Sequence, residues 1–194
     1  MLSDDPTLSL IITASIVAVM CAVLVISLFN LRRPSTAPMA VAGVLIAVAL
    51  VVVATAPPAD LPALAGIPLT AVGIATATIG GNPFTRRALD IATGARVRET
   101  ADGGILIVSA HDADPEQTRA LMRGGTVIGY LERLAAAVAI VVGFPEAVAA
   151  VIAVKGIGRF PELAESEARE RFIIGTIASL LWAGAIGAII RLCL

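Results

Sequence analysis

The side chains best placed for chemistry in this chain are the charged residues that interrupt two apolar stretches of its second half. Glu132 and Arg133 fall within residues 126–144, and Lys155 falls within residues 147–160. An ionisable side chain inside an apolar membrane-spanning segment is costly, so it is a functional candidate by default. Such residues can form an ion pair or hold a charged ligand, whereas a proton relay would rest on Glu132 alone.

A tight reversal at residues 143–146 predicts that these two stretches form a helical hairpin. Glu132 lies 12 residues before Phe144, and Lys155 lies 10 residues after Pro145. At about 1.5 Å per helical residue, the two side chains are about 18 and about 15 Å from the turn. We therefore expect a Glu132–Lys155 ion pair across the hairpin.

Two interpretations of the charged cluster stay open. In the favoured one it is a structural lock, in which Glu132 neutralises Lys155 while the arginines reach lipid phosphates at the interface, Arg133 by extending its side chain. In the other, Lys155, Arg159 and Arg133 form a cationic pocket for an anionic ligand, since guanidinium groups suit bidentate phosphate recognition. Glu162, which closely follows Arg159, is assigned to the same cluster.

The sequence offers little for other kinds of chemistry. His111 is the only histidine, and Cys21 and Cys193 form no CxxC spacing, so we expect no metal site, no redox pair and no cofactor. The segment Gly80-Gly81-Asn82-Pro83 lacks the Lys-Ser/Thr of a phosphate-binding loop and predicts the end of a helix instead. We assign no catalytic residue.

The composition places the chain in a membrane. Of its 194 residues, 58% are hydrophobic and 15% charged, the mean hydropathy is +0.93 and the net charge is −1. Soluble domains carry about 25% charged residues, so a disordered chain and a basic nucleic-acid binder are excluded and a soluble enzyme is disfavoured. Uncharged runs of about 20 residues, which can cross a hydrocarbon core of about 30 Å, predict an integral membrane protein.

The order of these runs predicts an all-α fold of about six spans with a small cytoplasmic cap. Residues 1–81 hold three spans, the third kinked near Pro68. Residues 82–125 form the cap, with a surface helix over 85–93, a hairpin turn at 101–103 and a helix that begins at Asp114. Residues 126–194 hold the remaining spans, of which 147–160 is a short tilted or re-entrant segment.

The distribution of basic residues predicts the orientation. With both termini outside, every one of the 14 Lys and Arg residues except Arg191 falls on the cytoplasmic side, as the positive-inside rule requires. We therefore expect a multi-pass protein of the bacterial inner membrane.

Small residues predict how the spans pack. On the last span a small residue recurs every fourth position, at Gly175, Ser179, Ala183 and Gly187, and the fourth span repeats this at Ala135, Ala139 and Gly143. Such faces let helix backbones approach closely, so we favour a packing seam over a pore lining. Trp182 lies too near the middle of its run to anchor at an interface, and we expect it to pack against another helix.

The charged cluster belongs to a longer motif: Ile128-Gly129-Tyr130-Leu131-Glu132-Arg133, then Lys155, Arg159-Phe160-Pro161-Glu162-Leu163, Glu170-Arg171-Phe172 and Ile174-Gly175-Thr176 with Ser179. In this motif the chain resembles a family of small, functionally uncharacterised bacterial integral membrane proteins. A similar string closes larger bacterial membrane proteins with a domain of unknown function. The resemblance adds weight to the charged cluster and implies no reaction.

Three functions follow as expectations. The favoured one is a non-enzymatic scaffold, assembly factor or lipid-binding subunit that uses its Arg- and Lys-rich cytoplasmic face. Its partners would be anionic lipids, a second copy of the chain or a cytoplasmic protein bound at residues 82–125, and not nucleic acid. The alternative is a small oligomeric transporter or channel with Glu132, Lys155 and Arg159 on its path. The third is an enzyme that clamps a phosphate-bearing lipid with its arginines.

Overall fold

The computed structural model describes residues 6–32, 35–56, 63–94, 98–99, 105–106, 125–158, 160 and 166–194. These ranges hold six helices: α1 (Pro6–Phe29), α2 (Thr36–Thr55), α3 (Ala63–Ala92), α4 (Gly125–Val141), α5 (Ala147–Gly158) and α6 (Ser166–Cys193). Two short strands, β1 (Arg98–Glu99) and β2 (Ile105–Leu106), pair antiparallel on either side of the expected hairpin turn. The expected all-α class is confirmed, while the helix expected from Asp114 lies outside the described residues.

Among the described residues, three helical segments are long and apolar enough to cross a membrane: Ser9–Phe29, Thr36–Thr55 and Ala168–Cys193. Large aliphatic side chains on their outer faces are well exposed, Val51 by 61% and Leu181 by 66%. An exposed apolar surface on this scale marks a region that meets lipid or another protein. The helices therefore support association with a membrane.

The helix α3 runs through the segment that was expected to end it. It continues from Ala63 to Ala92 with Pro68 and Pro83 inside it, so the expected stop at residues 80–83 and the separate surface helix over 85–93 are both wrong. The division expected at residue 81 likewise falls inside this helix. Pro83 removes one backbone hydrogen bond, but the two glycines before it make room for neighbouring helices. A Cβ on Gly80 would lie 2.8 Å from the Trp182 ring.

Helices α3 and α6 run antiparallel at the centre of the bundle. Gly66 of α3 lies against Leu194, Gly73 against Ile190, and Gly80 against Trp182. The flanking helices run parallel to these two, α1 to α3 and α4 to α6. Thr76 Oγ1 of α3 donates to the carbonyl of Met20 in α1 at 3.2 Å.

These directions place Arg32, Arg86 and Arg87 at one end of the bundle, which we call the basic end, whereas Arg191 lies at the other end beside Gly143. Arg32 lies at this basic end, just after the end of α1. Two hydrogen bonds from α3 meet there: Arg86 Nη1 donates to the carbonyl of Leu31 at 3.3 Å, and Arg87 Nε donates to Thr36 Oγ1 at 2.9 Å. The opposite end holds the start of α3 and Leu194, beside Gly66.

Small residues line the contacts of α6. Ser179 and Ala183 are buried, and a Cβ on Gly187 would lie 3.3 Å from the carbonyl oxygen of Ala137. Gly175 packs more loosely, with the Leu89 side chain 3.5 Å from the position of its missing Cβ. The packing face of α4 differs from the expected one. Ala135 and Gly143 are exposed and only Ala139 of that stripe is buried, whereas the adjacent residues 136 and 137 form the buried face.

Candidate functional site

The charged residues sit on a hairpin formed by α4 and α5. Gly143 adopts a φ of +81°, and its N–H donates to the carbonyl of Ile140 at 3.0 Å. The Phe144 N–H reaches back to the carbonyl of Ala139 at 2.8 Å. This pair of bonds around a left-handed glycine is a Schellman motif, which ends a helix and reverses the chain. Pro145 lies in the turn two residues before α5, and its carbonyl accepts the N–H of Val148 at 3.0 Å.

The hairpin brings Glu132 and Lys155 together. Lys155 Nζ lies 2.6 Å from Glu132 Oε2, and the side chains are 19% and 10% exposed respectively. The lysine ammonium also lies 5.7 Å from the centre of the Phe172 ring, so it joins α5 to α6 as well as to α4. The ion pair expected from the spacing is therefore present. The other carboxylate oxygen of Glu132, Oε1, is buried and has no hydrogen-bond partner among the described residues.

Arg133 does not share this site. Its Nε donates to the carbonyl of Thr78 at 2.8 Å, and its Nη1 donates to Ser179 Oγ at 3.0 Å. The residue is 2% exposed. The expectation that Arg133 extends to the interface, or joins a pocket with Lys155, is wrong. Consecutive helical residues point about 100° apart, so Glu132 and Arg133 leave α4 in different directions.

Sequence reasoning missed the cavity that accepts Arg133. A Cβ on Gly81 would overlap the arginine Cδ, and a Cβ on Gly129 would lie 3.2 Å from its Nη1. The Tyr130 ring lies 5.3 Å from the guanidinium carbon, within cation–π distance. The usable signal was the pair of glycines, one per helix, at the depth of the arginine. Arg133 thus acts as a polar connection between α3, α4 and α6.

A second polar connection lies beside it. Trp182 Nε1 donates to the carbonyl of Thr76 at 3.1 Å, and the indole packs 4.9 Å from the Phe84 ring. Trp182 therefore packs against another helix, as its position in the last span predicted. Because apolar surroundings supply no water, these carbonyl groups of α3 provide acceptors for donor groups that would otherwise lack a partner.

Between the two arms of the hairpin lies a cavity of about 530 Å³, which we call the α4–α5 groove. Its lining residues are Ile128, Leu131, Glu132, Ala135, Ala150, Val151, Val154, Lys155 and Gly158. Apart from the ion pair the walls are aliphatic. The volume lies in the range of about 300–1,000 Å³ that is typical of small-molecule sites. The groove can therefore hold an apolar chain beside one charged pair.

The remaining members of the expected cluster, Arg159 and Glu162, lie outside the described residues. Within the described ranges no group of three or more His, Cys, Asp or Glu side chains could hold a metal ion. No protein-family model, curated protein or solved structure matches this chain.

Proposed function

We propose that this chain is a non-enzymatic, multi-pass membrane protein that binds a membrane lipid in the α4–α5 groove. The observation that carries the proposal is the groove itself, an aliphatic cleft with one charged pair. An acyl chain matches the aliphatic walls, and the lipid headgroup would then lie near the charged pair.

In the proposed arrangement the basic end faces the cytoplasm of a bacterial cell, following the positive-inside rule. The helices α1, α2, α3 and α6 then span the membrane, and α4 and α5 complete the six segments. With 17 and 12 residues, α4 and α5 extend about 25 and about 18 Å, less than the hydrocarbon core of about 30 Å. We propose a hairpin that enters from the cytoplasmic side and turns beside Arg191, near the opposite end of the bundle, with a cytoplasmic cap between α3 and α4.

The depth of the charged pair suits a lipid headgroup. The contact of Arg133 with Thr78 sets this part of α4 level with residues 78–81 of α3. Arg86 follows that level by five to eight residues, so the pair lies about 8–12 Å below the basic end. A lysine side chain reaches several ångströms toward the interface, and the groove continues toward the basic end at Gly158.

A transport path is less well supported than a lipid site. A path needs charged side chains that can exchange partners with a passing ion. Here Arg133 is held by Thr78 and Ser179, and Glu132 is held by Lys155. The same contacts favour the structural lock over the cationic pocket, because they leave Arg133 outside the groove.

The proposal is tested by filling the groove. Ala149 and Ala150 are both exposed, but only Ala150 lines the groove. We expect Ala150→Phe to lose most of the phospholipid that co-purifies with the wild-type protein, measured by native mass spectrometry of the detergent-solubilised protein. The control Ala149→Phe should retain it. Equal lipid retention by both variants would overturn the proposal.

A further inference from the structure

We propose that the groove selects a phospholipid whose headgroup joins a primary ammonium to a phosphate, as in an ethanolamine phospholipid. The inference rests on the proposed lipid binding and adds the chemistry that recognises the headgroup. Its basis is a mismatch of donors and acceptors at the charged pair, between Glu132 and Lys155.

The carboxylate of Glu132 lacks one donor. Its Oε2 accepts the lysine ammonium at 2.6 Å, but its Oε1 is buried without a partner among the described residues. An ionised carboxylate accepts hydrogen bonds on both oxygens, and a buried acceptor without a donor is costly. Glu132 lines the groove, so a turn of its carboxyl group about the last side-chain bond would offer this oxygen to a donor group bound there.

The ammonium of Lys155 has more hydrogen-bond donors than Glu132 uses. It carries three N–H donors, of which Glu132 takes one at 2.6 Å. The side chain is 19% exposed and also lines the groove. The pair therefore presents a vacant acceptor beside spare donors, and a ligand that satisfies both must carry a donating group next to an accepting one.

Charge narrows the choice among lipid headgroups. The Glu132–Lys155 pair is neutral, so a zwitterion fills the site without leaving a net charge in an apolar cleft. Ethanolamine phosphate is such a zwitterion, with its ammonium donating to Glu132 Oε1 and its phosphate accepting from Lys155 Nζ. The two carbons between its charged groups suit partners as close as these. Choline has no N–H to donate, and phosphoglycerol brings a net negative charge.

The experiment compares headgroups on identical acyl chains. Delipidated wild-type protein in detergent is titrated with dioleoyl phosphatidylethanolamine, phosphatidylcholine and phosphatidylglycerol, and binding is followed by native mass spectrometry. Phosphatidylcholine should bind about tenfold more weakly than phosphatidylethanolamine, because a tenfold loss of affinity corresponds to the loss of one charge-assisted hydrogen bond. The affinity should fall stepwise from mono- to di- to trimethylated ethanolamine lipids, and the third methyl group, which removes the last N–H, should cause the largest fall. This series needs no variant protein, so a folding defect cannot obscure it.

A variant locates the effect. Glu132→Gln should bring ethanolamine and choline lipids to similar affinity, whatever its effect on the overall strength of lipid binding. Equal binding of all three headgroups, tightest binding of phosphatidylglycerol, or a preference that survives Glu132→Gln would each overturn the headgroup inference and leave lipid binding in the groove intact. Failure of every lipid to bind would overturn both proposals.

Discussion

Replacing Gly81 with alanine should destabilise the protein, because this position is occupied by another helix's side chain. The new Cβ would overlap Arg133 Cδ and lie 3.0 Å from Trp182 Cδ1. Either the neighbours strain around the added methyl, at about 1–3 kcal/mol, or Arg133 moves away. If it moves, its hydrogen bonds to Thr78 and Ser179 are lost, at about 0.6–1.7 kcal/mol each inside a membrane.

The matched control is Gly156→Ala on α5, where a Cβ would meet nothing within 4 Å. Both substitutions gain up to about 1 kcal/mol of helix propensity, so the difference between the two variants isolates the clash. We expect Gly81→Ala to be less stable than Gly156→Ala by about 2 kcal/mol. Reversible unfolding in mixed micelles, followed by the fluorescence of Trp182, the single tryptophan, measures this difference directly.

A double-mutant cycle with Arg133→Ala identifies the partner. If the overlap with the arginine is the cause, Gly81→Ala should cost much less in the Arg133→Ala background, with a coupling of at least about 1 kcal/mol. Equal stability of Gly81→Ala and Gly156→Ala, or additive effects in the cycle, would refute the reasoning.

Two further predictions concern the ion pair and the topology. Lys155→Met should destabilise by about 3 kcal/mol because it leaves the buried Glu132 unpaired, and adding Glu132→Gln should restore most of the loss in the same unfolding assay; equal stability of the single and double variants would contradict a lock. In a Cys21→Ser background, a membrane-impermeant maleimide added outside intact cells should label Cys193, which lies at the end of the bundle opposite the basic end. The control Arg32→Cys, with Cys21 and Cys193 replaced by serine, should react only after permeabilisation, and the reverse pattern would invert the proposed orientation.

The sequence predicted the level of a side chain along its helix better than the side of the helix on which it lies. Counting residues from the reversal placed Glu132 and Lys155 at one level, because helical rise is nearly constant. The same counting cannot say which side of a helix meets a neighbour when apolar residues surround it. Arg133 was therefore assigned to the interface. For the same reason the α4 packing face was predicted at Ala135, whereas in the structure it lies at Ala137.

Local rules failed where tertiary contacts outweigh them. Two glycines, an asparagine and a proline predict the end of a helix, yet α3 continues through residues 80–83. The cost of the proline and the glycines is offset by the packing that the glycines allow, including the close approach of Arg133 and Trp182. Those partners lie about 50 and 100 residues further along the chain, so a rule based on neighbouring residues cannot detect them.

The dependence of α3 on later helices also constrains how the protein is made. Its weakest turn, at Gly80 and Gly81, is covered by Arg133 from α4 and Trp182 from α6, and both leave the ribosome after α3. During synthesis this turn therefore enters the membrane before the side chains that stabilise it exist. The centre of the bundle closes only when α6 has been inserted, so the packing around α3 is completed well after α3 itself has been synthesised.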